Sequence, residues 1–163
     1  MNRRISESHP LYLLINDWIS DEVARHIDSQ GRPQVESYLT HLMADSMDLE
    51  QALPLRDADG RPLLSIIEMI AEADIRLNAR SFEEEREMRR RIGDYILFWS
   101  GVFPEHLKGD YRMQGRESYF IVSSFNQPPH DEEAPIFRDL SEGFDEFAFV
   151  MGQVGRRMRG TTH

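Results

Sequence analysis

The chain contains no cysteine. Disulfides, thiolate metal sites, iron–sulfur clusters and thiol nucleophiles are thereby set aside, while the compartment stays open. Long apolar runs are missing too. No window approaches eighteen uncharged apolar residues, and the opening MNRRISESHP leads only into Leu11–Leu14 and Ile15 before Asn16 and Asp17 interrupt. A membrane span and a signal-peptide core both need more, so a cytoplasmic protein without membrane association is expected. Positive charge is scarce: 19 basic residues face 29 acidic ones, for a formal net charge of −10. Long-range attraction to a phosphate backbone is correspondingly weak, and nucleic acid is not an expected partner. Glycine-rich phosphate loops, G-x-S-x-G, H-E-x-x-H and C-x-x-C-H are absent, as are the paired E-x-x-H motifs of di-iron bundles. No catalytic residue, metal or cofactor is called for.

What is present is helical periodicity. Phe137, Leu140, Phe144, Phe147, Met151, Val154 and Met158 follow a 3-4-3-4 spacing, which lines one face of an α-helix and cannot line one face of a strand. A narrow stripe of this kind is the geometry of two helices crossing at a shallow angle. Gly143, Gly152 and Gly155 lower the intrinsic propensity of the same segment, so packing must hold it. The ladder is therefore expected to be a seam, either within the chain's own core or in a homodimer contact.

With 163 residues, 40% of them apolar and 29% charged, the chain fits one domain that buries roughly 70% of its unfolded surface. The expected architecture is an all-α, antiparallel-leaning bundle of five to six helices, a single domain over residues 1–163 with short flexible ends at about 1–8 and 159–163. Ser8, His9 and Pro10 open a first helix that runs to about Ile27 or recaps at Ser20. Pro33 begins a second, with Val35, Leu39, Leu42, Ser46, Leu49 and Leu53 on one face and Pro54 as its stop. Asp57-Ala58-Asp59-Gly60 reads as a turn, since Leu55 and Ile66 stand where a calcium loop needs ligands. A third helix follows Pro62, with Leu63, Ile66, Ile67, Ile70, Ala73 and Leu77 along it.

Ser81 and Glu84 form a capping box for a fourth helix that ends before Pro104. Apolar residues cover nearly its whole circumference over residues 92–103, the mark of a central helix. Gly93 and Ser100 share one line there and predict the close approach of another backbone. Residues 111–125 contain the strand-like Tyr119-Phe120-Ile121-Val122, yet Tyr111, Gly115, Ser118, Val122 and Phe125 align on a helix. Helix is expected, because a lone strand in a helical chain has no partner to bond.

Charged clusters have plain structural readings. Glu85 with Arg89 and Glu87 with Arg91 stand at the favourable i, i+4 spacing on an exposed face. Arg156, Arg157 and Arg159 suit the negative end of the terminal helix. Glu22 with His26, Glu68 with Glu72 and His41 with Asp45 read as solvated helix faces rather than metal ligands.

One polar constellation stands apart. Asp94 sits in the most apolar window and must be paired, hydrogen-bonded or protonated there. Asp94 and Tyr95, with Arg116, Glu117 and Tyr119 on the returning fifth helix, form either a buried ion pair of Asp94 with Arg116 or a polar pocket for an anionic ligand. Function is accordingly expected to be that of an interaction or regulatory module, with a protein partner or a second copy. The alternative is a ligand-binding or enzymatic bundle built on Asp94 and Arg116.

Overall fold

The computed structural model describes residues 6–27, 33–46, 81–107 and 109–160. Among them are six α-helices and no strand: α1 (Pro10–His26), α2 (Pro33–Ser46), α3 (Phe82–Val102), α4 (Arg112–Ser123), α5 (Ala134–Glu142) and α6 (Phe144–Gly160), with a 3-10 turn at Pro104–Leu107. The expected third helix, the Asp57–Gly60 turn and the last third of the second helix, with Leu49 and Leu53, lie outside the described residues, as do most of the expected flexible ends.

Each helix start has a local cause. His9 caps α1 by accepting the Leu11 N–H on Nδ1 at 3.1 Å, with Pro10 in the first turn. α1 then runs unbroken past Ser20, whose hydroxyl instead donates to Glu36 Oε1 of α2 at 2.5 Å. Ser81 caps α3 by accepting the Glu84 N–H at 3.3 Å, and Glu83, Glu84 and Glu85 face the positive end of the dipole. Residues 112–123 are helical despite their β-branched and aromatic content, with Gly115, Ser118, Tyr119 and Val122 turned inward.

α3 is the central element: it packs against α2, α4, α6 and the 3-10 turn. Ile92, Ile96 and Leu97 are fully enclosed, meeting Ile15 and Ile19 of α1, Leu39 and Met43 of α2, and the aromatic rings of the C-terminal helices in one core. The C-terminal ladder differs from expectation in one respect: it is two helices, interrupted at Gly143. Glycine is the weakest helix former in the run, and the Phe147 ring fills the space its side chain would take. The stripe nevertheless stays continuous. Phe137, Leu140, Phe144, Phe147, Met151 and Val154 are buried and Met158 packs at their edge, all within the chain's own core. The buried members of the stripe thus serve the chain's own core, and Met158 stays partly exposed at its end.

The close backbone approach falls one residue from the expected line. Gly93 accommodates a ring, that of Tyr119, whereas the backbones meet at Gly101. A β-carbon there would stand 2.5 Å from the Ala148 carbonyl oxygen, and one at Gly152 would stand 2.6 Å from the Gly101 carbonyl oxygen. The α3–α6 crossing therefore rests on main chain against main chain.

The charged runs are less solvated than their spacing implies. Arg86 and Arg89 turn inward; Arg86 reaches Glu133 at 2.8 Å and lies over the Phe137 ring. Glu87 meets Arg91 at 3.9 Å, as the i, i+4 spacing predicts, and Arg90 more closely at 2.6 Å. Glu22 is buried as well, held by Arg157 of α6 at 2.6 Å with His26 Nε2 3.0 Å away, and Arg157 also pairs with Asp21. α1 and α6 are closed on each other by that ionic lock. Its arginine comes from the cluster whose position suggested only a helix terminus.

Candidate functional site

Asp94 enters the core on α3, where two of the neighbouring helices each offer it a donor. From α2, Tyr38 Oη donates to Oδ1 at 2.8 Å and to Oδ2 at 2.9 Å. From α4, Tyr119 Oη donates to Oδ1 at 2.7 Å. One turn back on α3 itself, Arg90 Nη1 donates to Oδ2 at 3.0 Å, while its other nitrogens hold Glu87. Tyr119 is fully enclosed and seated against the bare backbone of Gly93. The ring of Phe137 touches both Tyr38 and Tyr119, so an apolar wall backs the two phenols.

The electrostatics follow from this enclosure. Burial pushes the Asp94 carboxyl above its ordinary value, against the pull of the Arg90 charge and the two phenol hydrogen bonds. Burial first, and the nearby carboxylate second, hold Tyr38 and Tyr119 well above the usual phenol range. The Asp94 charge raises Arg90 despite its own desolvation, so the guanidinium stays charged. Both carboxylate oxygens are thus engaged by the protein's own donors, which is how a buried charge satisfies its hydrogen-bonding capacity.

Of the residues expected to gather here, Asp94 and Tyr119 do. Arg116 does not: it lies on the solvent side of α4 and pairs with Asp145 at the start of α6, at 3.1 Å. The core-facing line of α4 runs through Gly115, Ser118, Tyr119 and Val122, and Arg116 stands one residue, about 100°, off that line. Glu117 is exposed for the same reason. Tyr95 turns toward Trp99, 6.1 Å between ring centroids, along a ladder that continues to Phe103. The true partner, Arg90, was visible in sequence as an i, i+4 pair with Asp94. Tyr38, 56 residues away, carried no local signal.

A second feature lies at the far end of α3. A groove of about 680 Å³ opens over the α3–α6 crossing. Its lining includes the crossing residues Gly101, Ala148 and Gly152, the half-exposed rings of Phe103 and Phe149, and Arg112, Arg156 and Arg159 beside Glu105 and Asp145. Arg112 is fastened by Asp110, which takes its Nε and Nη2 at 2.9 Å each. Among the described residues no group of three or more histidines, aspartates or glutamates is placed to hold a metal ion. Among them, too, no helix is long and apolar enough to cross a membrane. Set beside known protein families, curated proteins and solved structures, the chain matches none, and its function rests on its own geometry.

Proposed function

We propose that the protein is an interaction module that docks a partner segment in the groove over the α3–α6 crossing. The observation that carries this reading is the pair of half-exposed aromatic rings in that groove, Phe149 at 51% and Phe103 at 38% exposure, beside a backbone crossing too tight to yield. Aromatic residues on a rigid concave surface are the usual anchors of protein interfaces, since they remove large areas from water at small entropic cost. The polar cluster at Asp94 supports the same reading by contrast. Tyr38, Tyr119 and Arg90 already use its oxygens, and Arg116 is held elsewhere, so the cluster fits a scaffold that fixes α2, α3 and α4 rather than a ligand pocket.

The test is site-specific photocrosslinking of the full chain in the cells it comes from. A photoreactive residue replaces Gln153 in the groove or, as a control, Asp131 outside it. A discrete covalent adduct from Gln153 that is missing from Asp131 is expected. Identical adduct patterns from the two positions, or none from either, would sink the proposal.

A further inference from the structure

We infer that the partner segment is acidic and amphipathic, placing an apolar side chain between Phe103 and Phe149 and a carboxylate on Arg156. This rests on the docking role of the groove and adds the chemistry of its occupant. The argument begins with charge. The chain as a whole carries −10, yet along this groove three arginines outnumber two carboxylates. One of those carboxylates, Asp145, is already engaged by Arg116 at 3.1 Å and approached by Arg112 at 3.9 Å. Arg112 is further fastened by Asp110. Asp145 and Arg112 are therefore engaged within the protein, and the exposed Arg156 is presented in the groove together with the exposed Glu105. A planar guanidinium binds a carboxylate with two parallel hydrogen bonds, which sets the chemistry of the matching group.

The apolar half of the match has equal support. The Arg159 guanidinium lies 5.3 Å from the Phe103 ring centroid, so one wall is an aromatic face with a cation over it. Phe149 supplies a ring on the α6 side, its edge contact with His26 at 5.0 Å fixing it from behind. The volume of about 680 Å³ lies within the range that encloses a few side chains or a small ligand, and is far too small for a folded domain.

The experiment uses the full chain and two fluorescein-labelled probe peptides, one of leucine and glutamate at helical spacing and its leucine–lysine counterpart, followed by fluorescence anisotropy. The leucine–glutamate peptide is expected to bind, more weakly as salt rises. Charge reversal in Arg156→Glu with Arg159→Glu should weaken it by about tenfold or more, as should Phe149→Ala by removal of the anchor. Arg138→Glu, exposed on α5, serves as the charge control and should change little. Helical circular dichroism and the urea midpoint confirm that each variant is folded. Absence of binding to the acidic peptide at about 1 mM, preference for the lysine peptide, or indifference to the reversal overturns the inference. A concentration-dependent dimer abolished by the same reversal also overturns it, since the occupant is then a second copy. The crosslink from Gln153 reports separately: if it forms while the acidic peptide fails, docking in the groove stands and the acidic occupant falls.

Discussion

Replacing Asp94 with alanine withdraws an acceptor from three donors at once. Tyr119 Oη is sealed in the core, and Tyr38 Oη lies between α2 and α3 with only Arg90 Nη1 nearby at 3.4 Å, itself a donor. A buried donor stripped of its acceptor costs about 1–3 kcal/mol, so the two phenols together cost about 4 kcal/mol. Arg90 adds little, because it is 22% exposed and keeps Glu87. Removing the carboxylate also relieves its own desolvation, an offset of about 1 kcal/mol, and the expected net loss is about 3 kcal/mol. Urea unfolding should show it as a lower midpoint with an unchanged slope. The triple variant Asp94→Ala, Tyr38→Phe and Tyr119→Phe removes donors and acceptor together and should recover most of the loss, since apolar replacement of both partners is nearly neutral. A loss below about 1 kcal/mol in the single variant, or a triple variant less stable than the single one, would refute the reasoning. The pH dependence has a definite sign. Burial holds the Asp94 carboxyl above its ordinary 3.8, so the folded chain keeps a proton over a range in which the unfolded chain has released it. The contribution of this group is complete below the ordinary value and declines as pH rises through the raised one. Asp94→Asn lacks that decline, and parallel stability curves for the two proteins would contradict the assignment.

Three further outcomes are expected. Gly152→Ala should cost about 1–3 kcal/mol in urea midpoint because its β-carbon meets a main-chain oxygen, whereas Gly155→Ala, which meets only side-chain atoms, Val102 Cγ1 at 3.2 Å and Arg159 Nη1 at 3.6 Å the nearest, should cost less. Ser81→Ala should cost about 1 kcal/mol through loss of the α3 cap, and Ser81→Asp should not. Asp110 should titrate at about 2 by NMR, held down by its hydrogen bonds from Arg112, and return toward the ordinary carboxylate range in Arg112→Ala. Its contribution to stability is thus present above the ordinary value and lost as pH falls through about 2.

The starts of α1, α2 and α3 were legible because capping is local: His9, Pro33 and Ser81 act on their own first turns, whereas the break at Gly143 was hidden by an apolar spacing that runs straight through it. The near-enclosure of Asp94, whose side chain keeps 14% exposure, was legible for a related reason, since the apolar residues around it on α3 forecast a central helix. Its partners were only half legible. Arg90 lies one turn away, within reach of spacing rules, while Tyr38 arrives through the docking of α2, which no local pattern encodes. Arg116 was drawn to Asp94 by charge alone, without regard to its rotation about the α4 axis. The inward turn of Arg86 and the lock of Arg157 on Glu22 share that cause: a charge run reads as solvated until the neighbouring helices are in place.

The contact at Gly101, Ala148 and Gly152 has a consequence for how this chain can change length. Each residue gained or lost inside α6 rotates everything beyond it by about 100° and shifts it by about 1.5 Å. Between Ala148 and Gly152 such a change would replace a bare backbone with a side chain at a point where no β-carbon fits. Insertions and deletions should therefore be barred from this stretch, and a shift of a whole turn is the smallest that preserves the facing surface. The connection between α4 and α5, residues 124–133, bears no such crossing and can vary in length more freely. The groove is thus built on the part of the chain least able to drift in register.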